Sequence, residues 1–336
     1  ISFADSVFVG TDDGLLKNYS DRQGIMRFKR IRNHGSKVND LIVNNLYLGG
    51  VLLAATSNGI LQIKSDGDAN RYLSKMSFTA VRRAMEDSTL LVAGSDDGTI
   101  RLLKYDDYEW VVYNTFNGHF QGAVTDIEQS APGEWWLVAA SQSALIRMHC
   151  EPNDTTFINY GQEQGILCDT IRSIALIDDV LYLCTGKGIF HYNRQSDLFE
   201  KDHNLTGNTF DNVQVNNLFQ TPEGEIILSG YDTRNFDALV TTTRLGHVVF
   251  RRQFDFLPDI ATRGVAYVDG SVWLAKGNSI FILDKTKLAF RYGECSTFFT
   301  RINAGDAPPL MDGTFFTTTD EGFRIPAVIQ PETPRI

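Results

Sequence analysis

The stretch "LLVAGSDDGTIRLLKYD", Leu90 to Asp106, decides the fold. A β-forming run leads into Ser95, Asp96, Asp97 and Gly98, and a second apolar run carries the chain back. Asp and Gly accept the positive φ of tight hairpin turns, so the segment reads as strand, turn, strand. One hairpin says little, whereas the same hairpin at a fixed interval defines an architecture.

The hairpin recurs. It returns as "SVFVGTDDGLLKNY" from Ser6, "GVLLAATSNGILQI" from Gly50 and "EWWLVAASQSALIRM" from Glu134. "DVLYLCTGKGIFHY" from Asp179, "EIILSGYDTRNFDALV" from Glu225 and "SVWLAKGNSIFIL" from Ser271 complete the set. A shorter run precedes most of them, as in "VNDLIV" from Val38, "TAVRRA" from Thr79 and "VTDIEQ" from Val124. A fourth run, often aromatic, follows most of them, as in "EWVVYN" and "LAFRYG". Corresponding turns lie roughly 39 to 46 residues apart, the interval of a four-stranded propeller blade. No long stretch keeps a 3.6-residue apolar period.

The expected fold is therefore all-β: a seven-bladed β-propeller of four-stranded blades over residues 1–293, followed by a truncated β extension over 294–336. A single sheet cannot bury both of its faces, and stacking sheets around an axis buries them all. This accounts for middle strands that read as continuous apolar runs, such as "VLLAAT" and "LYLCTG". Ile1 falls just past the expected start of the first innermost strand, so the first blade is expected to lack part of it. After Gly293 the spacing changes and Pro becomes frequent, which marks a linker and the first strands of another module.

The 336 residues are 43% hydrophobic and 21% charged, with a formal net charge of −10 and no basic run. That balance argues against nucleic-acid or anionic-membrane binding. No apolar stretch approaches the roughly 18 residues of a membrane span, and no signal peptide is visible. The four cysteines form no C-x-x-C pair and read as buried free thiols, with a Cys168–Cys184 bridge the other reading. The six His residues are scattered, so neither a metal nor a cofactor is expected. "GTDDG" and "GSDDG" read as turn chemistry rather than calcium ligation. Trp135 and Trp136 alternate along a strand and should pack on opposite faces of their blade.

The polar residues that open the innermost strands are Asn39, Arg82, Asp126, Arg172, Asn217 and Arg263. They come from different blades and are expected to converge at one mouth of the central channel. The arginines there would either bind carboxylates or phosphates in bidentate fashion or solvate a water-filled channel. A glycosidase would need paired carboxylates at the mouth, and Asp126 is the one acid in this candidate ring. Catalysis is therefore not expected.

Two families carry resemblances. "NGH" at Asn117–His119 and "AGSDDGTIRLL" resemble WD-repeats, which implies a protein-interaction scaffold as the alternative reading. The wider match is to the two-component regulator propeller. "SVFVGTDDGLLKNY", "AATSNGILQI", "LCTGKGIFHYNRQSDLFEKD" and "SVWLAKGNSIFILDKTKLAFRYG" resemble its blades. "FFTRINAGDAPPLMDGTFF" resembles the tract that leads into its immunoglobulin-like module. The resemblance implies the periplasmic sensor region of a bacterial transmembrane signalling protein, non-catalytic itself. Any histidine kinase or cyclase output and any membrane segment would lie outside this chain. It implies a small-molecule ligand, with oligosaccharides as the suggested class, and pairing with a second copy as a homodimer.

Overall fold

The computed structural model describes residues 1–22, 24, 26–31, 34–46, 49–140, 145–151, 154–168, 170–203, 205, 213–232, 236–242, 248–249, 264–268, 270–276, 279–284, 317–319 and 322–324. The chain divides into two compact units, Ile1–Ile282 and Leu283–Ile336.

The first unit is built from antiparallel sheets whose strands follow one another in chain order. Blade 1 comprises β1 (Ser2–Phe3), β2 (Ser6–Thr11), β3 (Gly14–Ser20) and β4 (Met26–Arg30). Blade 2 comprises β5 (Val38–Asn44), β6 (Val51–Thr56), β7 (Gly59–Lys64) and β8 (Ala69–Tyr72). Blade 3 comprises β9 (Ala80–Arg83), β10 (Leu90–Gly94), β11 (Ile100–Asp106) and β12 (Glu109–Phe116). Blade 4 comprises β13 (Val124–Ala131), β14 (Glu134–Ala139), β15 (Leu145–Glu151) and β16 (Asp154–Tyr160). Blade 5 comprises β17 (Ile171–Ile177), β18 (Val180–Thr185), β19 (Gly188–Asn193) and β20 (Leu198–Lys201). Blade 6 comprises β21 (Gln214–Gln220), β22 (Ile226–Asp232), β23 (Phe236–Thr242) and β24 (Val248–Val249). A three-stranded sheet of β25 (Gly264–Val268), β26 (Ser271–Lys276) and β27 (Ser279–Asp284) follows.

The propeller thus has six blades, not the seven expected. The last set of strands stops at three among the described residues, and the run "LAFRYG", residues 288–293, lies outside them. Its aromatic content is what makes that run read as a fourth strand. An outermost strand has one hydrogen-bonding neighbour, so β-propensity alone is a weak guide to it. In the second unit β28 (Thr317–Thr319) pairs antiparallel with β29 (Gly322–Arg324). The described residues contain no α-helix, and no helix is long and apolar enough to cross a membrane.

Burial follows the strand period. Middle strands β6 and β14 are buried along almost their whole length, while the outer strand β4 is largely exposed. The core is a series of seams between successive blades. Trp135 joins a cluster with Val92, Ile100 and Val124, on the blade 3 side. Trp136 joins Tyr160, Leu183 and Phe190, on the blade 5 side. The adjacent indoles face opposite seams because neighbouring residues of a strand point to opposite faces. The turns behave as the sequence implied: Asp97 Oδ1 accepts the Thr99 amide at 2.9 Å, which pulls the Asp97 carboxyl below its ordinary range. Cys150, Cys168 and Cys184 are free thiols, and Cys295 lies outside the described residues.

Candidate functional site at the innermost strands

Four innermost strands, β5, β13, β17 and β21, enter their blades through a local irregularity. The register of β5 on β6 steps from Val38↔Thr56 to Asp40↔Ala55, leaving Asn39 as the extra residue. The same step occurs at Val124/Asp126, Ile171/Ser173 and Val215/Asn217. A bulge of this kind re-aims the side chains beside it. Asn39 and Arg172 therefore occupy the bulge itself, whereas Asp126 and Asn217 occupy the position after it. Arg82 stands two residues further into its strand, opposite Val92 as Glu128 stands opposite Trp136. The six candidates do not form one level.

Three carboxylates surround Arg82. Its Nη1 donates to Asp40 Oδ2 at 2.7 Å and its Nη2 to Asp126 Oδ1 at 3.2 Å, while Nε lies 3.9 Å from Glu128 Oε2. One guanidinium thus ties β5, β9 and β13 together. The Arg82 side chain is 28% exposed and Asp126 13%, so the cluster is half-buried. Burial works against the Arg82 charge, but Asp40, Asp126 and Glu128 outweigh it and hold the proton more tightly than usual. Burial pushes the Glu128 carboxyl up to about 7 and the Asp126 carboxyl above its ordinary range, against the pull of Arg82. One cation facing three carboxyl groups leaves an excess of negative charge when all are ionised.

The carboxylates also serve the backbone. Asp40 accepts the Leu41 amide of its own strand at 2.8 Å and the Val81 amide of blade 3 at 3.0 Å. Asp126 repeats this one seam on: it accepts the Ile127 amide at 2.9 Å and the Ile174 amide of blade 5 at 2.9 Å. An innermost strand is an edge, and its inward N–H groups need such partners. Residues at the entry to the innermost strands make a second kind of cross-blade bond. Asn39 Nδ2 donates to Phe78 O at 2.8 Å, and Thr79 Oγ1 donates to Val124 O at 2.6 Å.

The remaining candidates lie further round. Arg172 is exposed, and its Nη2 donates to Gln214 Oε1 at 3.2 Å. Asn217 Nδ2 donates to Ser229 Oγ at 3.4 Å, and Ser173 Oγ to Asn216 O at 2.9 Å. Arg263 lies outside the described residues. Sequence reading missed Asp40 and Glu128, the two carboxylates that complete the Arg82 cluster. A signal for Asp40 was present, since "VNDLIV" carries its Asp two residues after the entry valine as "VTDIEQ" carries Asp126, whereas Glu128 has Ile42 as its counterpart. A groove of about 700 Å³, lined in part by Tyr72, Tyr108 and Trp110, lies instead at outer strands β8 and β12. Among the described residues no group of His, Cys, Asp and Glu is arranged to hold a metal ion.

Comparison with known proteins bears on the fold. The WD domain, G-beta repeat family matches residues 77–103, which span β9, β10 and most of β11. No curated protein sequence matches the chain. Among solved structures, the extracellular domain assigned to a hybrid two-component system of B. thetaiotaomicron superposes with a TM-score of 0.62 at 13% identity. That match covers 83% of this chain and 38% of the other, so the chain spans well under half of it. YCF48 bound to D1 peptide gives 0.59 at 14% identity, over 83% of this chain and 88% of that one. Virginiamycin B lyase from Staphylococcus aureus gives 0.57 at 12%, over 80% and 94%. The fold is a β-propeller. These propellers include a two-component extracellular domain, a peptide complex and a lyase, so fold alone assigns no activity.

Proposed function

We propose that the propeller is the non-catalytic, ligand-sensing region of a bacterial transmembrane signalling protein, exposed to the periplasm. The likeness to a two-component extracellular domain supports this reading, together with the blade motifs that resemble that family. The single observation that carries the choice of site is the Arg82 cluster and its neighbours on the innermost strands of blades 2 to 6. Asn39, Arg82, Asp126, Arg172 and Asn217 sit there on rigid strands, and Arg263 is the expected sixth member. A ligand touching several of them contacts several blades at once, and the Arg82 bonds link blades 2, 3 and 4 to one another. A sensor needs such coupling, because binding has to favour one arrangement over another.

The ligand class we propose is an oligosaccharide, with uronic-acid sugars preferred. Arg82 is committed to Asp40 and Asp126, whereas exposed Arg172 donates to a neutral amide oxygen and retains donors for a carboxylate. Calorimetric titration of neutral and uronic-acid oligosaccharides against the wild type and Arg172→Ala tests this. We expect binding that weakens by about 1.5–3 kcal/mol in the variant, the scale of a charged hydrogen bond. Full-strength binding to Arg172→Ala would remove the site assignment. Absence of binding to any sugar would favour the interaction-scaffold alternative.

A further inference from the structure

Among the described residues the longest outer strand is β12, with eight residues. It pairs there with β11 alone, so its other edge is open. Open edges are ordinarily guarded by Lys, by Pro or by shortness. Outer strand β4 carries Arg27, Lys29 and Arg30, and β8 and β20 have four residues each. By contrast β12, "EWVVYNTF", has no Lys, Arg or Pro, and it exposes Val111 and Tyr113.

The register shows which backbone groups face outward. The Tyr105 amide donates to Thr89 O at 2.8 Å, so Tyr105 and, by the two-residue period, Leu103 turn their backbone towards β10. Lys104 and Asp106 then face β12, where they pair with Val111 and Glu109. Trp110 and Val112 stand opposite Tyr105 and Leu103, so their N–H and C=O groups point out of the open edge. The register shift at Leu102/Leu103 leaves Tyr113 as an extra residue, and the regular edge ends at Val112. Trp110 and Val112 both line the groove of about 700 Å³ that β12 shares with β8. Trp110 is buried with its Nε1 donating to Gln62 Oε1 at 2.8 Å, and the Tyr72 hydroxyl donates to Tyr108 O at 3.3 Å. Asp107 and Glu109 also line the groove, exposed and in no ion pair among the described residues. The lining cation, Arg71, gives its Nη1 to Thr56 Oγ1 at 3.1 Å and to Asn58 O, at a hairpin turn of blade 2. The two acids are therefore left to an incoming positive charge. The net charge of −10 on the chain disfavours a second copy as its source.

We propose that the open edge of β12 and this groove take an extended, basic segment of a partner protein by strand addition. The surface is separate from the innermost strands and does not depend on the oligosaccharide reading. Main-chain bonds to Trp110 and Val112 hold the added strand, and its alternate side chains enter the groove towards Tyr72 and Leu73. A Lys or Arg of the segment meets Asp107 and Glu109.

The test titrates the chain with the capped, fluorophore-labelled peptide Lys-Val-Thr-Val-Thr-Lys and with its counterpart Glu-Val-Thr-Val-Thr-Glu, read by anisotropy. The Lys peptide should bind about fivefold or more tightly than the Glu peptide, by a margin that narrows as salt is added. It should also slow hydrogen exchange at the Trp110 and Val112 amides. Val112→Pro removes an outward N–H while sparing the β11 ladder, so it should weaken the Lys peptide about tenfold or more. Asp107→Asn with Glu109→Gln leaves the edge whole and should abolish the preference for Lys, which keeps the test decisive if Val112→Pro fails to fold. Equal affinity for the two peptides, unchanged exchange at both amides, or full-strength binding to a folded Val112→Pro chain would each overturn the proposal. So would a concentration-dependent dimer that Val112→Pro dissolves, since the edge would then belong to a second copy.

Discussion

Among the arginines that bridge blades, Arg82 and Arg147 do so differently. Arg82, on an innermost strand, faces Asp40, Asp126 and Glu128. Arg147, on β15, faces Asp197 at 3.0 Å, donates to the Tyr192 hydroxyl at 2.7 Å and lies over the rings of Trp136 and Tyr160. The Asp197 side chain is 55% exposed and also accepts the Tyr160 hydroxyl at 2.6 Å. The seam at Arg147 is balanced in charge, backed by aromatic packing and open to water at its carboxylate. The inner seam is unbalanced, and its carboxylates also hold the amides of neighbouring strands. The outer arrangement is a clasp, whereas the inner one is a hub whose loss exposes several unmet charges and amides together.

Replacing the hub cation should have the largest effect. Arg82→Leu leaves three half-buried carboxylates facing one another, and we expect a loss of about 3 kcal/mol in urea unfolding. A loss no larger than that of Asp197→Asn in the outer seam would erase the distinction between the seams. Asp126→Ala should cost about 2 kcal/mol, because the Ile127 and Ile174 amides both lose their acceptor. Slower folding is not required, but faster exchange at the Ile174 amide is.

The pH response separates the seams further. Glu128 titrates at about 7 in the folded chain and near 4.3 when unfolded. Between those values the folded chain binds the extra proton, so this group makes folding stronger as pH falls from about 7 towards 4.5. We expect on the order of 1 kcal/mol across that window after allowing for partial exposure, and its disappearance in Glu128→Gln. A wild-type melting curve that weakens steadily over the same window, unchanged by the substitution, would refute the assignment. The smallest effect belongs to the clasp. Asp197→Asn should cost about 0.5 kcal/mol or less, since the exposed ion pair is screened and Asn still accepts from Tyr160.

The same contrast shows what the sequence could reveal. Repeated hairpins declared the propeller because strand period, turn residues and repeat length all act locally. The facing of Trp135 and Trp136 followed from strand alternation alone. The seventh blade was expected partly from the aromatic run "LAFRYG", and aromatic content is a weak guide to an outer strand. The site was half legible: polar entry residues mark the innermost strands, but the bulges at Asn39, Thr125, Arg172 and Asn216 shift which residue faces which. Arg82 looked like a free cation because the carboxylates that claim it lie about forty residues away on either side, in other blades. The repeated aspartates Asp40 and Asp126 could be seen, but not the amides of the next blade that they accept, since those partners are backbone groups.

The direct test of the hub is a double-mutant cycle on Asp126→Asn, measured by urea unfolding with Arg82 intact and with Arg82→Leu. With Arg82 present, removing the Asp126 charge should destabilise the chain by about 1–2 kcal/mol. With Arg82 gone, the same substitution should stabilise it, because it relieves repulsion among carboxylates that nothing else neutralises. An effect of the same sign and size in both backgrounds would contradict the claim that one guanidinium ties these innermost strands together.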